Sequence, residues 1–78
     1  MRYFVLRDGF NKILSIHQIM DAALASFNNL IKSTDLMDDV HILEIVTSDR
    51  GTVILQRKIY SYSFIEGLII NHLTQIVI

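Results

Sequence analysis

The spacing of apolar positions changes character along this chain. Residues 2–7, RYFVLR, form a short β-type run closed by Asp8-Gly9, a strong hairpin-turn signal. NKILS, residues 11–15, can return as a second, short strand that runs straight into a helix signal. From Ile16 onward the apolar residues recur at 16, 19, 20, 23, 27, 30 and 31, which is helical spacing and makes one apolar stripe. His17, Gln18, Asp21, Ala25, Asn28 and Lys32 fall on the opposite side. Ser15 followed by Gln18 fits a capping box, and Ser33-Thr34-Asp35 ends the helix.

Period-two character returns in VHILEIVT, residues 40–47, and TVILQRKIY, residues 52–60. Between them, Ser48-Asp49-Arg50-Gly51 suits a type I turn with a glycine bulge, because the closing residue needs positive φ. A three-residue loop would set Ile45 opposite Leu55, Leu43 opposite Arg57, Val46 opposite Ile54 and Ile42 opposite Lys58. One face of this hairpin would then hold Leu43, Ile45, Val53, Leu55 and Ile59, and the other Val40, Ile42, Val46, Ile54 and Tyr60. A sheet with one wet face alternates cleanly. Two apolar faces call for two covers, and the first helix supplies only one.

The chain closes on FIEGLIINHLTQIVI, residues 64–78. Placed on a helix beginning near Ser61, Ile65, Leu68, Ile69, Leu73 and Ile76 form a stripe, widened by Ile70 and Val77. Such a helix would be the second cover, although QIVI suits a strand equally well. The fold class expected is therefore α+β. A small antiparallel sheet, in the order β-β-α-β-β-α, carries an amphipathic helix on one face and an apolar C-terminal helix, in a single domain over residues 1–78.

Composition sharpens this picture. The 78 residues can bury only ~60% of the surface that their unfolded chain exposes. With no cysteine, disulfides and thiolate metal sites are excluded. An apolar fraction of 51% against 19% charged leaves apolar surface over after one small core has formed. The expectation is a homodimer whose interface includes Ile65, Leu68, Ile69, His72, Leu73 and Ile76. Glu66, Asn71, His72 and Gln75 interrupt the last apolar stretch, so no membrane span is expected there. MRYFVLRDGF lacks the apolar length and cleavage site of a signal peptide, which points to a cytoplasmic protein.

Candidate chemistry is sparse. His17, His41 and His72 have no i, i+4 spacing and no repeated carboxylate beside them, so no metal or cofactor is expected. Asp38-Asp39 with His41 resembles an acid–base cluster, but such residues at an exposed strand entry read more simply as solvated acids. Arg57-Lys58, with Arg50 and Lys12, could contact nucleic acid beside Tyr60 and Tyr62, or else protect an edge strand with charge. The net charge of −1 and scattered basic residues provide no basic stripe.

The function expected is non-enzymatic: a small protein–protein interaction module docking on a macromolecular partner. In size and layout alone, the chain is similar to small two-helix accessory proteins of phages and plasmids, including inhibitors of host defence such as anti-CRISPR proteins. The alternative is a nucleic-acid-binding dimeric regulator or antitoxin that uses the hairpin of residues 40–60 as a β-ribbon.

Overall fold

The computed structural model describes residues 1–33 and 35–75. Strands β1 (Arg2–Asp8) and β2 (Ile13–His17) precede helix α1 (Met20–Ile31). Strands β3 (Val40–Thr47), β4 (Val53–Ser63) and β5 (Leu68–Asn71) follow, with a short 3₁₀ helix at His72–Gln75. The five strands form one sheet in the order β2-β1-β3-β4-β5, every neighbouring pair antiparallel. Because β2 and β3 both oppose β1, they run parallel to each other. Two parallel strands cannot be joined by a tight turn, and α1 is the crossover that joins them.

The first two hairpins close on the same device. Asp8 N–H donates to Lys12 O (3.1 Å) and Asn11 N–H to Asp8 O (3.0 Å), with Asn11 at φ 65°. Likewise Ser48 N–H donates to Thr52 O (2.8 Å) and Gly51 N–H to Ser48 O (2.9 Å), with Gly51 at φ 83°. The leading side chain reinforces each turn: Asp8 Oδ1 accepts from Phe10 N and Lys12 N, and Ser48 Oγ from Arg50 N and Thr52 N. The glycine-bulge turn expected at Ser48–Gly51 is therefore present.

Helix α1 turns one side to the sheet. Ala23 and Phe27 are fully buried, and Met20, Leu24, Leu30 and Ile31 pack around them. The opposing sheet face supplies Phe4, Leu6, Val40, Ile42 and Ile59, and the Phe27 and Tyr60 rings meet at a centroid distance of 6.2 Å. Ala23 lets the helix backbone approach the strands, and Phe27 fills the space beside it. The helix starts later than the capping-box pattern predicts. Ile16 and His17 pair with Val5 and Phe4 in the sheet, and Ser15 Oγ is in hydrogen-bond contact with His17 Nε2 (2.8 Å) instead of capping a helix. Ile19 takes the N-cap position with no side-chain bond, so Ile16 and Ile19 fall outside the buried stripe and are exposed.

Two corrections concern β4. Thr47 does pair with Val53, as a three-residue loop requires, but bulges at Ile54 and Ile59 then shift the register twice. Val46 faces Leu55, Ile45 faces Gln56, Glu44 faces Arg57, Leu43 faces Lys58, and Ile42 faces Tyr60. A one-residue slip exchanges the faces of every side chain beyond it. Leu55 and Arg57 thus join the helix side, Lys58 joins the far side, and Ile59 reaches the core together with its neighbour Tyr60.

The expected C-terminal helix from Ser61 is the second correction. Residues 61–63 complete β4, 64–67 turn, and Leu68–Asn71 return as β5. Gly67 sits at φ 65° and donates its N–H to Ser63 O (2.8 Å), while Ser63 Oγ accepts from Glu66 N (3.3 Å). A positive φ suits glycine and breaks a helix at that point. The alternation Tyr60-Ser61-Tyr62-Ser63 has period two, the signal that this segment belongs to a strand. Ile76 and the rest of the terminal tripeptide lie outside the described residues.

Candidate functional site

Among the described residues, helix α1 covers one face of the sheet and no helix covers the other. Across the other face the register aligns Ile16, Val5, Leu43 and Lys58 in one row, and Arg7, His41, Ser61 and Ile70 in the next. Val5 and Leu43 are each only 4% exposed although no helix lies over them. Both lie on inner strands of the sheet, β1 and β3.

At one end of this face lies an open cleft of about 270 Å³. Gly9 and Asn11 of the first turn, Asp39 and His41 of the β3 entry, and Lys58, Ser61 and Ser63 of β4 line it. His41 is a buried polar residue. Burial holds its pKa below the ordinary histidine value, and the nearby positive charges of Lys58 and Arg7 lower it further. Asp8 and Asp39 oppose this with smaller effects. Arg7 Nε is buried with no hydrogen-bond partner among the described residues.

Each carboxylate of the neighbourhood is bound to something other than these cations. Asp8 Oδ1 holds the first turn, Asp38 Oδ1 accepts from Asp39 N (2.8 Å), and Asp39 Oδ1 accepts from Phe64 N (2.7 Å). On the helix-side face, buried Glu44 binds Arg57 Nε at 2.6 Å and Arg2 Nε at 3.3 Å. Among the described residues these are the two ion pairs, and neither includes Arg7 or Lys58.

Ser61 Oγ and His72 Nε2 are 2.7 Å apart, the spacing of a nucleophile–base pair. Among the described residues no carboxylate hydrogen-bonds to His72, so the pair lacks the third, orienting group of such a constellation. No cluster of three or more His, Asp or Glu residues suited to a metal ion occurs among them either. No helix there is long and apolar enough to cross a membrane.

The structure distributes the residues singled out from the sequence. Ile65 is 93% exposed at the tip of the last turn, and Leu68 and Ile69 are exposed on β5, where alternation points them to opposite faces. Leu73 packs against the core cluster instead, and His72 is held by Ser61. Arg50 lies at the tip of the β3–β4 turn, Arg57 is tied to Glu44, and Lys58 looks out from the opposite face. These three cations do not form a stripe. The grouping of Arg7, His41, Lys58 and Ser61 escapes the sequence because it is assembled across three strands. Only the pairing of His41 with both Arg7 and Ser61 creates it.

Compared with known proteins, the chain matches no family model, no curated protein and no solved structure.

Proposed function

We propose that the protein is a small non-enzymatic interaction module that assembles as a homodimer and docks onto a macromolecular partner. The observation that carries this reading is the condition of the sheet edges. Strand β2 (ILSIH) and strand β5 (LIIN) are the outermost strands, and neither contains Lys, Arg, Asp, Glu or Pro. Edges that remain solvent-facing are usually guarded by such residues. The contrast lies within this molecule. Strand β4 pairs with β5 only over residues 60–63, and the stretch left without an outer neighbour carries Gln56, Arg57 and Lys58.

Antiparallel pairing of β5 with β5 of a second copy is isologous and engages the outward N–H and C=O groups of both strands. It brings the exposed Leu68 and Ile69 of each chain against the other. Light scattering at micromolar concentration tests the reading. The intact chain is expected to have the mass of a dimer and Ile69→Lys that of a monomer, while circular dichroism stays unchanged. A monomeric intact chain overturns the homodimer, and a dimer indifferent to Ile69→Lys removes β5 from the interface.

A further inference from the structure

We propose that the cleft between the first turn and β4 is a binding site for a small oxyanion, the phosphate or carboxylate group of a ligand, held by Lys58 and His41. The observations are of different kinds. The cleft has room for a group of that size, about 270 Å³, and Lys58, His41, Ser61 and Ser63 line it together with the single carboxylate of Asp39. Lys58 stands on it exposed and without an ion-pair partner among the described residues, and Arg7 lies one strand behind His41, its Nε buried and unbonded. Arg7 is not part of the lining and acts on the site only as a positive charge behind His41.

No acid forms an ion pair with Lys58 or Arg7 among the described residues, although Asp8 and Asp39 still act on His41 through their charge. Asp8, Asp38 and Asp39 each accept a backbone N–H. At the His41 ring the influence of Lys58 and Arg7 outweighs that of Asp8 and Asp39. The hydroxyls complete the site. Ser63 Oγ already accepts from Glu66 N, so its own proton is free to donate, and Ser61 lies beside it in the same lining. A bound oxyanion would therefore meet an ammonium group, an imidazole N–H and a hydroxyl, with the guanidinium of Arg7 strengthening the field from behind. Charge-assisted bonds of this type are about twice as strong as neutral ones. Ile70 of β5 borders the cleft, but its donors lie on β3 and β4, so the phosphate titration and the oligomer mass read different groups.

The test is a titration of the full chain with inorganic phosphate, followed by NMR of the His41 ring and the Ser61 and Ser63 amides. Ionic strength is held constant with chloride, and a parallel arm uses acetate. Saturable shifts at these residues are expected. They should tighten as pH falls through the His41 titration, because the imidazolium adds a charge to those of Lys58 and Arg7 against Asp8 and Asp39. Lys58→Gln, an exposed change that leaves the fold intact, is expected to weaken binding about tenfold or more, and Lys58→Arg to retain it. Saturation by phosphate alone identifies a phosphate group, and saturation by acetate as well identifies any oxyanion of that size. Shifts that follow chloride equally, or that persist unchanged in Lys58→Gln, overturn the proposal.

Discussion

Neighbouring residues of β3 look out on two different worlds. Ile42 points toward α1 and is fully buried among Phe4, Leu6, Phe27 and Ile59. Leu43, next in the chain, points to the face that carries no helix, yet is only 4% exposed. The first face is a core made by two layers, with an aromatic pair and a close-packed alanine at its centre. The second carries buried apolar residues at the middle of the sheet with no helix over them among the described residues, and the cations Arg7 and Lys58 toward one end. The comparison teaches that a wide enough sheet buries its central positions on both faces. Among the described residues no second helix does so here, and on this face Arg7 Nε is left without a hydrogen-bond partner.

The matched pair Ile42→Ala and Leu43→Ala gives the largest expected effect and the sharpest test of that contrast. Ile42→Ala leaves a cavity enclosed by helix and sheet and is expected to lower stability by about 3–4 kcal/mol. Leu43→Ala opens onto a face that solvent and flexible neighbours can fill, with an expected loss of about 2 kcal/mol. Urea unfolding followed by circular dichroism measures both. Equal losses that grow with protein concentration would mean that a second copy covers the open face, and the contrast between faces would disappear on assembly.

Glu44→Gln probes the uncovered end of the helix-side face. The carboxylate is buried, but its partners Arg2 and Arg57 are largely solvent-exposed, so screening reduces what each pair contributes. A loss of about 1 kcal/mol is expected in urea unfolding, less at molar salt. A much larger loss would show that this end of the sheet is as dry as the centre.

The smallest expected effect is a pH dependence from the open face. The folded-state pKa of His41 lies below its unfolded value, about 6.5, so the unfolded chain binds the extra proton more readily. The stability associated with neutral His41 is fully present above about pH 6.5. It declines as pH falls from there toward the folded-state pKa. The slope of melting temperature against pH between 7 and 5.5 should be shallower in His41→Asn than in the parent. An unchanged slope would show that burial and the two cations do not act on this ring.

Some of the fold could be read in the residues directly. The apolar spacing from Ile16 to Ile31 identified α1 apart from its first turn, and Asp8-Gly9 and Ser48–Gly51 identified the first two turns. These features rest on contacts between residues a few positions apart. The start of α1 was misread because Ser15 and Gln18 satisfy a local capping pattern, while pairing with β1 claims Ile16 and His17 for the sheet. The segment from Ser61 was misread because Leu68-Ile69-Ile70 is a continuous apolar run, compatible with either helix or strand. Its Tyr-Ser alternation and Gly67 carried the better signal. The candidate cleft was legible only in pieces, Asp39 with His41 and Lys58 with Tyr62, and not as one site. Arg7, His41, Lys58 and Ser61 are separated along the chain and carry no motif.

The sequence by itself determined the local elements of the first two thirds of the chain: a helical segment ending at Ile31, strands on either side, and turns at Asp8-Gly9 and Ser48–Gly51. Tertiary structure alone decided which side chains share a face. In β4, two bulges each displace the register by one residue, and each displacement exchanges the faces beyond it. That is why Arg57 meets Glu44 while Lys58 meets the cleft. The outcome depends on the packing of Ile59 and Tyr60 against α1 and on pairing with β3, interactions between residues distant in the chain that no local period encodes.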